Sequence, residues 1–327
     1  MKFVYRFRNQ GWMLPLFCGF FGCTTDFPTI TPYKETMVIY GLLNPNDPVQ
    51  YIRVSKAFLG EGNALVMSRQ PDSIYYGDIL DVKLERFIGV NLANTYIYSR
   101  IPMDSVPKDA GAFVAPYQAV YAGQMDRADT TNSGTTSYKL TVKNRQSGVT
   151  ATASTIIIDN FWIPSFHIGT QDFTAPPPKP SYSVIPTVLA KNYNITMQLS
   201  YTDTSHVSHF LFDWNLGDQT NVEGNTSELP FSFAKSYLFT LDSIAAQGLP
   251  RDPTGAYIFT LNLIVTAGTN DLYTYMQATQ PANSLVQDRP LYTNVQNGVG
   301  LFTCRNMRTH RLNISPGTNT KLDSYFQ

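Results

Sequence analysis

Leu80-Asp81-Val82-Lys83-Leu84-Glu85 decides the fold class. Apolar and charged residues alternate strictly, so an extended chain carries Leu80, Val82 and Leu84 on one face and the charges on the other. Tyr138, Leu140 and Val142 alternate with Lys139, Thr141 and Lys143 in the same way. Further strands are expected over Thr36–Leu43, Val49–Ser55, Thr95–Ile101 and Val149–Ile158. Turn-forming clusters punctuate them, among them Asn44-Pro45-Asn46-Asp47-Pro48, Asn132-Ser133-Gly134 and Gln146-Ser147-Gly148. Short strands at this spacing predict an antiparallel β-sandwich-like domain over residues 36–165, of immunoglobulin or transthyretin type.

Outward from this core the pattern repeats. Ile195, Met197, Leu199 and Tyr201 alternate, then Phe210, Phe212, Trp214 and Leu216, then Tyr257, Phe259, Leu261, Leu263 and Val265. These predict a second β-rich domain over 187–327. One short helix is expected from Asp271 to Thr279, capped by Asn270 and ended by Pro281. Between the domains, 166–186 contains Pro176-Pro177-Pro178-Lys179-Pro180, a run without amide donors that reads as a semi-rigid linker. The chain as a whole is therefore expected to be mostly all-β.

The N-terminus carries an address. Lys2, Arg6 and Arg8 precede an uncharged apolar stretch from Gly11 to Gly22, too short to span a bilayer as a helix. This order reads as a secretory signal peptide over 1–22. Phe20-Phe21-Gly22-Cys23 resembles a bacterial lipobox, which makes Cys23 the expected lipidation site and 23–35 a tether. Removing 1–22 takes away three cations and no acid, leaving 21 cations against 24 acids. A balance so close to neutral excludes phosphate-driven nucleic-acid binding and a polybasic membrane patch, so attachment falls to the lipid.

Chemistry-bearing motifs are sparse. No nucleophile elbow, zinc-protease helix, P-loop or dinucleotide fingerprint occurs, and no cofactor is expected. His206 and His209, with Asp203 and Asp213 nearby, are weak candidates for a metal site. In a straight strand their spacing puts the imidazoles on opposite faces. Cys304 reads as a buried strand residue. Tyr75, Tyr76, Tyr96, Tyr98, Tyr117 and Tyr121, in or beside the turns of the first domain, are candidates for an exposed surface that contacts a small molecule, glycan or peptide; packing in the body of the sheet is the alternative.

The most distinctive stretch runs from Gln287 to Phe302, with Asp288-Arg289-Pro290, Asn294 and Asn297-Gly298-Val299-Gly300. It resembles the near-C-terminal signature of a Bacteroidota outer-membrane lipoprotein family, domain of unknown function 4249. Val38–Asn44 and Ile52–Gly60 are similar to that family's opening strands. Asp288, Arg289, Pro290, Asn294, Asn297, Gly298, Gly300 and Phe302 are the signature positions, and their residue types point to a turn feeding a last strand. The resemblance implies an outer-membrane lipoprotein of the cell envelope associated with a TonB-dependent transporter; with catalytic motifs missing, the expected role is a lipid-anchored, non-enzymatic accessory or ligand-binding partner of that transporter. Two other readings compete: a carbohydrate- or peptide-processing enzyme with an interdomain cleft, and a structural or adhesive surface lipoprotein.

Overall fold

The structure, a computed structural model, describes residues 34–57, 64–111, 113–126, 136–158, 160–164, 169–174, 181–203, 206–222, 227–232, 258–280 and 291–325. The signal peptide, Cys23, the proline run and Asp288-Arg289-Pro290 lie outside the described residues.

The alternating stretches do form strands. In chain order they are β1 (Met37–Leu43), β2 (Val49–Lys56), β3 (Leu80–Ile88), β4 (Asn91–Arg100), β5 (Tyr121–Gln124), β6 (Thr136–Asn144) and β7 (Thr150–Ile156). Then come β8 (Thr170–Gln171), β9 (Ser181–Val184), β10 (Asn192–Thr202), β11 (Ser208–Thr220), β12 (Leu229–Ser232), β13 (Ile258–Gly268) and β14 (Gly298–Ile314). The protein is mostly β, with one large mixed sheet in the order β11-β10-β13-β14-β1-β2-β5-β4-β3-β6-β7 and a small sheet of β9 and β12. β3 and β6 show how the sequence sets the packing. Val82 pairs with Val142 and Leu84 with Leu140, so two apolar rows meet on one face and bury together.

Pairing within the first half nearly closes on itself. The first half of β14, then β1, β2, β5, β4, β3, β6 and β7, follow one another around a core of Met37, Ile39, Ile52, Leu84, Leu140 and their neighbours. Thr152 in β7 and Gln296 exchange both backbone hydrogen bonds (3.1 and 2.7 Å), joining the two ends of this circuit.

β14 ties the halves together. Gly298–Cys304 run parallel to β1, whereas Arg305–Leu312 run antiparallel to β13. Residues 298–304, within the expected 187–327 domain, are thus hydrogen-bonded into the sheet of the first half. Every other pair of named strands is antiparallel except β14 with β8. Alternation reports which face of a strand is buried; it carries no information on the direction of its neighbour.

Two expectations are corrected in detail. Phe210 does not share a buried face with Phe212, Trp214 and Leu216: it is 62% exposed, while Leu211 is buried. A register shift against β10 between Leu199 and Ser200 passes over Leu211, and this bulge turns the face over. The single expected helix is joined by others. α1 (Ala64–Met67) and α2 (Pro71–Ile74) are one-turn helices, α3 (Asn270–Thr279) is the expected one, and α4 (Pro316–Asp323) closes the described chain. α3 starts one residue early, because Thr269 rather than Asn270 caps it by accepting from the Leu272 amide (3.4 Å). α4 lacks an apolar stripe, and Ser315-Pro316 mark its start, Ser315 Oγ accepting from the Thr318 amide (3.1 Å).

Candidate functional site

The signature residues that are described build a joint. Asn294 Oδ1 accepts from the Phe302 amide (2.9 Å) and its Nδ2 donates to the Phe302 carbonyl (2.7 Å), as a neighbouring strand would. Nδ2 also donates to Asp271 of α3 (3.1 Å), whose other oxygen accepts from the Tyr292 hydroxyl (2.6 Å). Burial and the bond to Asp271 push the Tyr292 phenol up. Asn297 has φ 55° and Gly300 φ 121°; a Cβ at 300 would overlap the Ile39 carbonyl of β1. Phe302 is fully buried. Together these positions lay residues 291–295 along β14 and hold α3 beside it.

The tyrosines expected at the surface are mostly interior. Tyr76, Tyr98 and Tyr121 belong to the main core, and Tyr75 packs with Ile74, Val114 and Ala119 in a small cluster of its own. Tyr96 is half-buried, and Tyr117 alone of the six is exposed. Tyr98 faces inward because it falls on the buried parity of β4, and its ring covers Gly123 in place of a side chain. These residues therefore do not form the expected exposed aromatic surface.

His206 sits in a turn with φ 61°, its amide bonded to the Asp203 carbonyl (3.0 Å). His209 follows on β11, with Nε2 2.8 Å from Asp203 Oδ2 and the ring stacked on Tyr201 at 4.8 Å. Asp203 thereby serves the turn and the His209 imidazole together, accepting also from the Val207 amide (2.9 Å). Among the described residues no group of three or more His, Cys, Asp or Glu side chains could hold a metal ion. Burial pushes the Cys304 thiol up to about 12, which keeps it protonated and inert at neutral pH.

The concave surface of chemical interest lies elsewhere, on the outer face of β1 and β2. Val38, Tyr40 and Leu42 point outward from β1, and Tyr51, Arg53 and Ser55 from β2. On one side α3 brings Leu272 and Tyr275 against them, with the Tyr40 and Tyr275 rings edge to face at 6.3 Å. The hydrogen bond with Tyr40, together with burial, pushes the Tyr275 phenol up to about 12. On the other side Ile74 and Tyr75 of the α2 region and Lys108 and Phe113 of the following loop form a wall. The result is a trough of two hollows, about 540 Å³ on the α3 side and about 380 Å³ on the α2 side, and Tyr40 and Arg53 line both.

A second groove, about 800 Å³, opens where β3, β4 and β5 meet. Arg145 there is committed to Asp81 (2.9 Å), whereas Arg100 and Lys143 form no ion pair among the described residues. Tyr98 Oη, Tyr121 Oη and Arg100 Nε, on residues lining this groove, are buried without a hydrogen-bond partner among the described residues.

No model of a known protein family matches the chain, and no curated protein matches it. The resemblance to the lipoprotein family rests on the quoted residues alone.

The trough had a signal in the sequence. Met37-Val38-Ile39-Tyr40-Gly41-Leu42-Leu43 is apolar on both faces, unlike β3, so its outer face had to be covered or used. Its wall residues gave none, because Lys108 and Phe113 reach it from a loop more than fifty residues downstream of Arg53.

Proposed function

We propose that this protein is a lipid-anchored, non-enzymatic binding protein of the cell envelope that captures a ligand for, or docks with, an outer-membrane TonB-dependent transporter. The observation that carries the binding reading is the trough over β1 and β2. It is concave, floored by apolar and aromatic side chains, and edged by a few placed polar groups, the composition usual for ligand sites. The anchor reading is supported by the basic, apolar, Gly22-Cys23 order of the N-terminus, and the transporter reading by the family resemblance.

Labelled palmitate fed to cells should enter the wild-type chain and not Cys23→Ala. Mild-detergent pull-down of the anchored chain should then recover a large β-barrel protein. Absence of label from the wild type sinks the anchor, and repeated recovery without a barrel sinks the transporter partnership.

A further inference from the structure

Three half-buried cations line the smaller hollow of the trough: Arg53, Lys56 and Lys108. Among the described residues no Asp or Glu lines it, and the remainder of that lining is apolar or aromatic save Ser55. Like charges gathered on one wall repel one another unless an anion joins them. Nor are these cations adrift. Lys108 Nζ donates to the Val114 carbonyl (2.9 Å) and lies 5.8 Å from the Phe113 ring centroid. Lys56 Nζ donates to the Asp72 carbonyl (2.9 Å) and faces the Tyr76 ring. Each ammonium spends one donor on backbone and keeps two.

Arg53 is the most available of the three. Its guanidinium lies 5.0 Å from the Tyr40 ring centroid and forms no ion pair among the described residues. Stacking on a ring leaves the in-plane N–H fork free, and that fork matches the two oxygens of a carboxylate. Glu35, whose field reaches Lys56, is instead engaged with Asn144 Nδ2 (2.7 Å). Tyr75 is buried at the floor, and that burial raises its phenol even though Arg53 opposes it.

The donor–acceptor balance then selects the ligand. A carboxylate needs only donors, and among the described lining three cations supply them, against no carboxylate and only the hydroxyls of Tyr40, Ser55 and Tyr75 as side-chain acceptors. We propose that the hollow takes a small amphiphilic carboxylate, its head on the Arg53 fork beside Lys108 and its flat apolar body against Val38, Ile74 and Phe113. This rests on the trough being the ligand surface, and it names the class of ligand.

The probe is 2-naphthoate, titrated calorimetrically into the full chain, with 2-naphthamide as the neutral isostere. The carboxylate should bind at least tenfold more tightly than the amide and lose affinity as salt rises. Arg53→Gln should weaken naphthoate tenfold or more with an unchanged melting temperature, Lys108→Gln should weaken it less, and Arg53→Lys should recover only part. Phe113→Ala should weaken both compounds equally. Equal binding of naphthoate and naphthamide, full affinity in Arg53→Gln, or no binding at millimolar probe would overturn the proposal. Barrel capture by the Arg53→Gln chain separates the two ideas: capture without naphthoate binding in the wild type refutes only the ligand class.

Discussion

Asn294→Ala should cost the fold about 2–5 kcal/mol. The side chain supplies a donor and an acceptor to the main chain of Phe302, at 2.7 and 2.9 Å, inside a segment that is otherwise buried. Truncation leaves both backbone groups without that partner, and a buried unsatisfied polar group costs roughly 1–3 kcal/mol. The Asp271 carboxylate loses one of its two contacts as well, but Asn294 is half-buried, so water can recover part of that loss. Urea unfolding followed by far-ultraviolet circular dichroism reads the difference. With a slope of about 2–3 kcal/mol per molar, the midpoint should fall by about 1 M or more. Asn294→Asp should not rescue it, since a carboxylate at 294 would face both the Phe302 carbonyl and Asp271. A change below about 0.5 kcal/mol in Asn294→Ala would refute the idea that this residue pins 291–295 to β14.

Three further outcomes follow from single groups. Tyr98→Phe removes a buried hydroxyl that has no partner among the described residues, so stability should be unchanged or rise by up to about 1 kcal/mol; a clear loss would mean the hydroxyl is satisfied in solution. Cys304 should resist alkylation by iodoacetamide in the folded chain and react on unfolding, as mass spectrometry will show; rapid native labelling would contradict its burial. Hydrogen bonds from the Thr174 hydroxyl and amide hold the Asp172 carboxyl down at about 2. A depressed folded value stabilises above the unfolded one, so this contribution is complete above about pH 4 and fades as pH falls toward 2. Asp172→Asn should flatten that part of a stability–pH profile, and an identical acid slope in wild type and variant would count against it.

The strands were legible because side-chain parity is local. Leu80-Asp81-Val82 and Ile195-Thr196-Met197 declare their buried faces within three residues, and no distant partner is needed to read them. Parity misled at Phe210, where one extra residue in β11 reverses the face without any mark in composition. The tyrosines failed for a related reason. Tyr is at home both in cores and at surfaces, so Tyr98 and Tyr121 declared nothing until the sheet curved around them. Asn297 and Gly300 were readable as turn residues, since positive φ restricts the residue type, but not the contact with Ile39 that makes glycine obligatory at 300.

By itself the sequence determined the β class, the positions of most strands, α3 and a nearly neutral charge balance, all properties legible along the chain without distant partners. The tertiary structure alone decided that β14 would join the two halves of one sheet, parallel to β1 and then antiparallel to β13. It also decided that Arg53, Lys56 and Lys108 would stand around one apolar hollow. Both depend on residues far apart in sequence being brought together, and pairing direction and charge convergence are fixed only once the whole sheet has closed.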